Sequence, residues 1–143
     1  MTEPEALAEA LIREHRELDD LFGRFLAAAS AGDPDAAAVA IAAFDDALRR
    51  HTRSEEERLY PVTESSGPGG LAPRPEGDAQ RGIFRELRLE HVQIRELSAM
   101  MRRLLEEKAD LESARRLAPN LARRWDAHTS REERELLGSA GAG

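Results

Sequence analysis

Apolar residues recur every three or four positions along four separate segments of this 143-residue chain. Such spacing is typical of amphipathic α-helices that turn one face toward a core. It predicts four helices, over residues about 3–30, 34–60, 79–108 and 110–137. Helices of this length with short connections predict an all-α, up-down-up-down four-helix bundle, and the chain length fits a single domain over residues 1–143.

Capping residues mark where the first two helices begin. Thr2 can cap the first helix, Pro4 suits its first turn, and Glu5 completes a capping box with Thr2. Asp33 is expected to cap the second helix, with Pro34 in its first turn. The break between the two helices is therefore predicted to be only a few residues long.

Prolines and glycines predict the remaining breaks. Pro61 is expected to stop the second helix, because proline cannot continue one. The stretch Ser65–Asp78 is rich in Gly, Pro and Ser and is predicted to be a long mobile loop. Asp110 is a candidate cap for the fourth helix, and Pro119 inside that helix predicts a kink or a short break.

Each predicted helix carries one of the four histidines of the chain, and all four lie on an apolar stripe. They are His15, His51, His91 and His128. The second and fourth helices also carry a glutamate four residues after the histidine, Glu55 and Glu132. Residues four apart lie on the same face of a helix, so each of these glutamates is also directed at the core.

Six ionisable side chains are therefore predicted to lie in the core as candidate metal ligands. They are His15, His51, Glu55, His91, His128 and Glu132. Burying one isolated carboxylate or imidazole costs about several kcal/mol, whereas the total stability of a domain is about 5–15 kcal/mol. The six groups must compensate one another, and divalent metal is the usual means. A metal-free network of hydrogen bonds and ion pairs is the alternative that the residues leave open.

The donor types also bear on which metal binds. Six ligands arranged for two ions suit octahedral iron or manganese better than tetrahedral zinc. Imidazole and carboxylate nevertheless accept all three metals, and zinc can bind more tightly than ferrous iron. The residues therefore favour two iron ions, with manganese and zinc as alternatives.

Charge and composition exclude several classes of function. The net charge of −7, with arginine interleaved with glutamate, argues against a nucleic-acid partner. No apolar run is long enough to cross a membrane, and the acidic N-terminus lacks the features of a secretory signal. The chain has no cysteine, hence no disulfide and no thiol chemistry. We expect a cytoplasmic protein without membrane or nucleic-acid partners.

Several polar and aromatic residues neighbour the candidate ligands. Glu56 and Glu57 are expected on a solvated face. Tyr60 is expected at a helix end with its ring half buried and its hydroxyl in water, while the alternative is a hydroxyl that reaches the centre as a hydrogen-bond donor or a ligand. Trp125 is expected to pack above the centre as part of the core.

Four motifs around these residues resemble the hemerythrin-like family, also called the HHE cation-binding domain. The motifs are Glu14–Leu18, His51–Pro61, Glu90–Ile94 and His128–Glu133. The second motif, which ends in Leu-Tyr-Pro, is the most specific of the four. The resemblance covers nearly the whole chain.

The resemblance implies an up-down four-helix bundle around a non-haem diiron centre. By resemblance, the four histidines are terminal ligands, while Glu55 and Glu132 bridge the two irons. An oxo, hydroxo or water bridge would complete the pair. Open coordination positions would then bind dioxygen, nitric oxide or peroxide.

This chain departs from the oxygen-carrying hemerythrins at two places. Those proteins have a second histidine one turn after the first on the third helix, where this chain has Arg95. They also place the last carboxylate, an aspartate, five residues after its histidine. Here Glu133 lies at that offset, and Glu132 has the four-residue offset of the wider family. These departures argue against reversible oxygen carriage and favour reaction at an open position.

Three functions remain open from the sequence. The first is a diiron protein that binds dioxygen or nitric oxide. The second is a diiron oxidoreductase with peroxidase, catalase-like or nitric-oxide-reducing activity, so whether the chain is an enzyme is left open. The third is a metal-free or zinc-stabilised helical module that binds another protein. A monomer or a weak homodimer is expected in each case.

Overall fold

Four long helices make up most of the computed structural model, which describes residues 2–61 and 77–137. α1 spans Glu3–Ser30, α2 Pro34–Ser54, α3 Gly77–Lys108 and α4 Leu111–Glu132. α1 packs on α2, α2 on α3 and α3 on α4, and α4 contacts α1 to close the ring. The predicted up-down-up-down four-helix bundle is therefore confirmed.

α2 and α4 each continue into a short π-helical segment, Glu55–Leu59 and Glu133–Leu137. A π-helical turn takes in one more residue than an α-helical turn, and such turns are frequent at functional sites. The first segment begins at the glutamate of the His-x-x-x-Glu motif, and the second begins one residue after it. A π-helical segment therefore begins at or directly after the glutamate of each motif.

The predicted helix caps are present. Thr2 Oγ1 accepts from Glu5 N at 3.2 Å, and Thr2 N donates to Glu5 Oε2 at 3.1 Å, which completes the capping box. Asp33 Oδ1 accepts from the N–H of Ala36 at 3.0 Å. Asp110 caps α4 in the same way, because its Oδ1 accepts from the N–H of Ser113 at 3.0 Å. Each cap of this kind contributes about 1 kcal/mol to helix stability.

Two predicted breaks differ from the structure. α4 is continuous through Pro119, so the predicted short break is wrong; proline removes a single backbone donor, and the adjacent turns keep theirs.

Helical backbone extends as far as Pro61, the last residue described before residue 77. Gly77 and Asp78 were predicted as loop but belong to α3. The rest of the predicted mobile loop, residues 65–76, lies outside the described residues.

The two described connections each contain one residue with left-handed backbone. Gly32 (φ 70°) connects α1 to α2, and Ala109 (φ 49°) connects α3 to α4. After α3, the N–H groups of Ala109 and Asp110 donate to the carbonyls of Leu105 and Leu104 at 3.1 and 2.9 Å, which satisfies the last turn of the helix. Glycine adopts this conformation freely, whereas the Cβ of Ala109 makes it costly.

The buried apolar residues form two clusters with a polar layer between them. Large members of the first are Phe25, Ile41, Phe44, Met101 and Leu121. Large members of the second are Leu11, Tyr60, Phe84, Leu87 and Leu136. Along each helix and the segment that continues it, the buried apolar residues before the histidine belong to one cluster and those after it belong to the other. The polar faces of the helices remain outside, and none in the described part of the chain is long and apolar enough to cross a membrane.

A buried aspartate on α2 makes polar contacts with α3 outside this polar layer. Asp45 is fully buried and accepts from Ser98 Oγ at 2.8 Å and from Arg102 Nη1 at 3.0 Å. Arg49 lies 3.1 Å from the same carboxylate. The carboxylate is therefore both hydrogen-bonded and ion-paired, which is what its burial requires. Nothing in the apolar periodicity of α2 indicated this group.

Candidate metal centre

All six predicted ligands lie in the polar layer at the middle of the bundle. Each of them is at most 3% exposed. They form two overlapping groups, within each of which one ligand atom per residue lies within 4.8 Å of the others. Position A comprises His15, His51, Glu55 and Glu132, and position B comprises His91, His128, Glu55 and Glu132. Glu55 and Glu132, the inner glutamates, are shared by both positions.

Each inner glutamate directs one carboxylate oxygen to each position. Glu55 Oε2 lies 3.2 Å from His51 Nε2 at position A, while its Oε1 lies 3.0 Å from His91 Nε2 at position B. Glu132 Oε1 lies 3.2 Å from His15 Nε2, while its Oε2 lies 3.3 Å from His128 Nε2. Two carboxylates arranged in this way are suited to bridge two cations held by two imidazoles each.

Several of these inward donor atoms are buried without a hydrogen-bond partner in the described structure. They are the Nε2 atoms of His15, His51 and His128, with Glu55 Oε2 and Glu132 Oε1. Each unsatisfied buried polar atom costs about 1–3 kcal/mol. A divalent cation at each position would satisfy them at once, since imidazole nitrogen and carboxylate oxygen are both metal donors. The residues present therefore fit a pair of metal ions.

Each histidine also faces a second glutamate, through Nδ1. The four pairs are His51–Glu14 at 2.7 Å, His91–Glu56 at 2.7 Å, His128–Glu90 at 2.6 Å and His15–Glu133 at 3.6 Å. In the first three pairs the carboxylate keeps the proton on Nδ1 and leaves Nε2 free for the centre, whereas His15 Nδ1 has no hydrogen-bond partner in the described structure. We call Glu14, Glu56, Glu90 and Glu133 the outer glutamates.

The outer glutamates were not predicted as a set from the sequence. Glu56 was assigned to a solvated face, which is wrong, because it is only 30% exposed and bonds His91 across the α2–α3 interface. Glu57 is exposed, as expected. The available signal was adjacency, since every outer glutamate is next in sequence to a predicted ligand on its own helix. Each of them serves a histidine on a neighbouring helix.

Tyr60 reaches the centre, so the prediction of a half-buried ring with a wet hydroxyl is wrong. The residue is fully buried, and its hydroxyl donates to Glu132 Oε2 at 2.5 Å. The same hydroxyl lies 3.1 Å from His91 Nε2, and the two rings are stacked with centroids 5.6 Å apart. The helical backbone that continues through the π-helical segment carries Tyr60 inward. Its hydroxyl therefore contacts position B.

Trp125 covers the opposite side of the centre, as expected. Its ring centroid lies 5.6 Å from that of His15 and 6.1 Å from that of His51. The indole Nε1 donates to Asp19 Oδ1 at 2.8 Å, so its one polar group is satisfied toward the surface. The rest of the ring is apolar and belongs to the larger apolar cluster, which it joins to the centre through its contacts with the histidine rings.

The charges of the centre shift the pKa values of its members. Burial favours neutral imidazole, but the nearby carboxylates of Glu132 and Glu55 outweigh it and raise the pKa of His15 to about 10. The same balance, with burial opposed by carboxylates, raises the pKa of His51 to about 9 and that of His91 to about 11. Burial also opposes ionisation of the inner glutamates, yet the imidazoles hold the pKa of both below the usual range. The two buried negative charges therefore demand positive charge, as protons or as metal.

Two arginines lie behind position B. Arg95 Nη1 donates to Thr52 Oγ1 at 3.2 Å and lies 3.5 Å from Glu56 Oε2. Arg131 Nη1 donates to Glu90 Oε2 at 3.0 Å. Arg95 occupies the place of the second histidine of oxygen carriers, and its guanidinium points away from the centre to these outer groups. It contributes no ligand.

A four-helix bundle with two overlapping His/Glu groups in its core belongs to the class of candidate dinuclear metal proteins. The chain is a member of the hemerythrin family, because the model of the hemerythrin HHE cation binding domain matches residues 6–140. The resemblance seen in the motifs is thereby confirmed. No curated protein and no solved structure matches the chain.

Proposed function

We propose that this chain is a non-haem diiron protein that binds or reacts with a small ligand: dioxygen, nitric oxide or hydrogen peroxide. His15 and His51 would hold one ion at position A, and His91 and His128 the other at position B. The inner glutamates would bridge the two. The observation that carries the proposal is the set of buried, inward-facing donor atoms that have no hydrogen-bond partner.

The donor set favours iron among the candidate metals. Two imidazoles and two bridging carboxylates per ion leave coordination positions open in an octahedral arrangement, whereas tetrahedral zinc would be filled. Bound iron would supply redox chemistry and those open positions for a small ligand. Manganese offers a similar geometry and stays an alternative within the proposal.

The surrounding residues have roles that need no metal to be described. Glu14, Glu56 and Glu90 hold the imidazole rings of their histidines through Nδ1 and select the tautomer that presents Nε2 inward. Trp125 excludes water on one side of the centre. Tyr60 holds a hydroxyl proton at Glu132 Oε2, beside position B.

Burial of the centre limits what can reach it. The six candidate ligands are nearly inaccessible to solvent. A crevice of about 280 Å³ between α1 and α2 is lined by Glu14, Glu17, Arg50 and His51, a candidate ligand of position A. Burial of the donor atoms supports a diatomic or peroxide ligand over a larger organic substrate.

The position of Arg95 supports reaction over storage of intact dioxygen. It replaces an additional histidine with a side chain directed to Glu56 and Thr52, so the centre has fewer nitrogen donors than an oxygen carrier. The second form of the proposal is therefore an oxidoreductase with peroxidase, catalase-like or nitric-oxide-reducing activity. Repeated consumption of the ligand by ferrous protein indicates an enzyme, whereas a stable stoichiometric adduct indicates a binding protein.

The proposal is tested by metal content and an optical spectrum of protein expressed in iron-replete medium. Two irons per chain, with near-ultraviolet absorption characteristic of a bridged ferric pair, are expected. No metal, together with thermal stability that is unchanged by chelator, would favour the metal-free interaction module. One zinc per chain and no iron would favour the zinc-stabilised module. A cytoplasmic location and a monomeric or weakly dimeric state also stay predictions.

A further inference from the structure

The two positions differ in how far their donor atoms are already satisfied. All four inward atoms of position A are buried without a hydrogen-bond partner in the described structure. At position B only His128 Nε2 is in that state. The other three atoms are hydrogen-bonded: His91 Nε2 to Glu55 Oε1 at 3.0 Å, and Glu132 Oε2 to the hydroxyl of Tyr60 at 2.5 Å, whereas the imidazole–carboxylate pairs of position A lie 3.2 Å apart without forming hydrogen bonds.

The outer glutamates behind the two positions differ in the same sense. Behind position B, Glu56 lies 3.5 Å from Arg95, and Glu90 accepts from Arg131 at 3.0 Å. Behind position A, Glu14 lies 2.7 Å from His51 Nδ1, while Glu133 lies 3.6 Å from His15 Nδ1 and is not hydrogen-bonded to it; neither glutamate has an arginine partner within the part of the chain that the structure describes. A guanidinium that pairs with a carboxylate partly neutralises its charge. The carboxylate then raises the basicity of its histidine, and hence the affinity of that histidine for metal, by less.

The openings at the surface of the bundle also favour position A. The crevice between α1 and α2 is lined by His51, a member of position A, together with Glu14 and Glu17. The groove between α2 and α3 is lined by none of the candidate ligands; its lining residues nearest to position B are Glu56, the partner of His91, and Arg95. Acidic side chains line both openings, together with Arg50 in the crevice and with Arg49, Arg53 and Arg95 in the groove, so only the crevice places a candidate ligand, His51, at its lining.

We infer that the centre takes up its two ions in a fixed order, position A first and more tightly, with Tyr60, Arg95 and Arg131 weakening position B. The inference rests on the proposed function, since it requires that both positions bind divalent ions. An ion at position A relieves four unsatisfied donor atoms. An ion at position B must displace existing contacts and is held by histidines whose carboxylate partners are already shared with arginine.

The order is tested by titrating metal-free protein with Co²⁺ in a calorimeter, with the fluorescence of Trp125, the single tryptophan, as a second signal. Wild-type protein is expected to bind two ions in steps whose Kd values differ by at least about tenfold. His128→Ala should keep the tight step within about threefold, whereas His51→Ala should lose it and leave binding weaker by at least about tenfold.

Tyr60→Phe and Arg131→Met probe the weak position without removing a donor atom. Each is expected to tighten the second step by about three- to tenfold and to leave the first step unchanged. Arg116→Met is the matched control, because Arg116 is 75% exposed, pairs with Glu112 and no other carboxylate among the described residues, and lies about three turns along α4 from His128. It should alter neither step.

Equal Kd values for both steps, or a tight step that survives His51→Ala but not His128→Ala, would overturn the inference and leave the proposed function standing. Weaker binding at the second step in Tyr60→Phe would also overturn it, because Tyr60 would then be a ligand. Wild-type protein that binds no Co²⁺ and no other divalent ion would instead reject the proposed function itself.

Discussion

Glu90 on α3 lies 2.6 Å through Oε1 from Nδ1 of His128 on α4. The pair bridges two neighbouring helices at the level of the candidate centre and leaves the Nε2 of the histidine for the interior. Two other histidine–glutamate pairs, His51–Glu14 and His91–Glu56, repeat the arrangement, whereas Glu133 lies 3.6 Å from His15 Nδ1, beyond hydrogen-bond distance. The orientation of His51, His91 and His128 therefore depends on carboxylates outside the inner cluster.

Replacing Glu90 should weaken metal binding without removing a ligand. Glu90→Ala is expected to lower the affinity for divalent metal by about 10–100-fold, because the ring of His128 loses the partner that orients it. Glu90→Gln keeps a hydrogen-bond acceptor and should lie between wild type and Glu90→Ala. Glu96→Gln, an exposed glutamate on the same helix, is the control. Equal affinity in all these proteins, measured by calorimetry, would reject a supporting role for Glu90.

Replacing either inner glutamate should disrupt the proposed pair of ions. Glu55→Ala or Glu132→Ala removes one oxygen from each position, so at least one ion per chain should be lost on gel filtration. Glu57→Ala removes an exposed carboxylate from the same acidic run and should retain both ions. Metal analysis of the purified variants checks this. Two ions per chain in both inner-glutamate variants would contradict the bridging assignment.

Metal-free protein should lose stability as the solution becomes alkaline. The folded pKa values of His15 and His91, about 10 and 11, lie above the unfolded value of about 6.5. Their contribution is therefore fully present below about pH 6.5 and is lost as pH rises through about 9–11. Urea unfolding at several pH values measures the effect.

Metal-loaded protein is the control for this pH dependence, because its imidazoles are already neutral and ligated. Its stability should change less over the same alkaline range, so the difference between loaded and metal-free protein should widen with pH. If the unfolding free energy of metal-free protein is constant from about pH 6.5 to 10, the pKa values of His15 and His91 are not raised in the folded state.

Asp45 should be important for stability although it lies outside the centre. Asp45→Ala is expected to destabilise the fold by about 3 kcal/mol, because it leaves Ser98 without its acceptor and Arg102 without a buried partner. Asp46→Ala, which removes a 55% exposed contact of the same arginine, should cost less than about 1 kcal/mol. Urea unfolding distinguishes the two. Similar losses in both variants would mean that burial of Asp45 is not what makes its contacts strong.

Ala109→Gly should stabilise the protein. Ala109 has φ 49°, a left-handed conformation that costs a residue with a Cβ about 1–2 kcal/mol. Glycine relieves that strain but gains freedom in the unfolded chain, so the expected net gain is about 0.5–1 kcal/mol. Ala31→Gly, at the right-handed cap of α1, is the matched control and should destabilise. A lower melting temperature for Ala109→Gly would show that the connection is not strained.

The spacing of residues along each helix was enough to predict the bundle and the six core groups. A helical period of 3.6 places residues four apart on one face, so His51 and Glu55 could be assigned to the interior without knowledge of any other helix. Caps such as Asp33 were equally accessible, because a capping contact spans only three residues. The metal itself and the roles of the ligands stay predictions, since they require an ion to be measured.

Residues that act across helix interfaces could not be assigned in this way. Glu56 lies on the flank of its own helix, and only the position of α3 turns it from a solvated carboxylate into the partner of His91. Tyr60 was misassigned because proline at the next position suggested a helix end at the surface, whereas the continuing helix carries its hydroxyl to Glu132.

The sequence by itself determined the four amphipathic helices, their caps and the set of histidines and glutamates that face the core, because these follow from local spacing. The tertiary structure alone decided which outer carboxylate serves which histidine, and that Tyr60, Arg95 and Arg131 all lie on the side of position B. The physical reason is that a contact between helices depends on their relative rotation and height, and no periodicity within one helix specifies either.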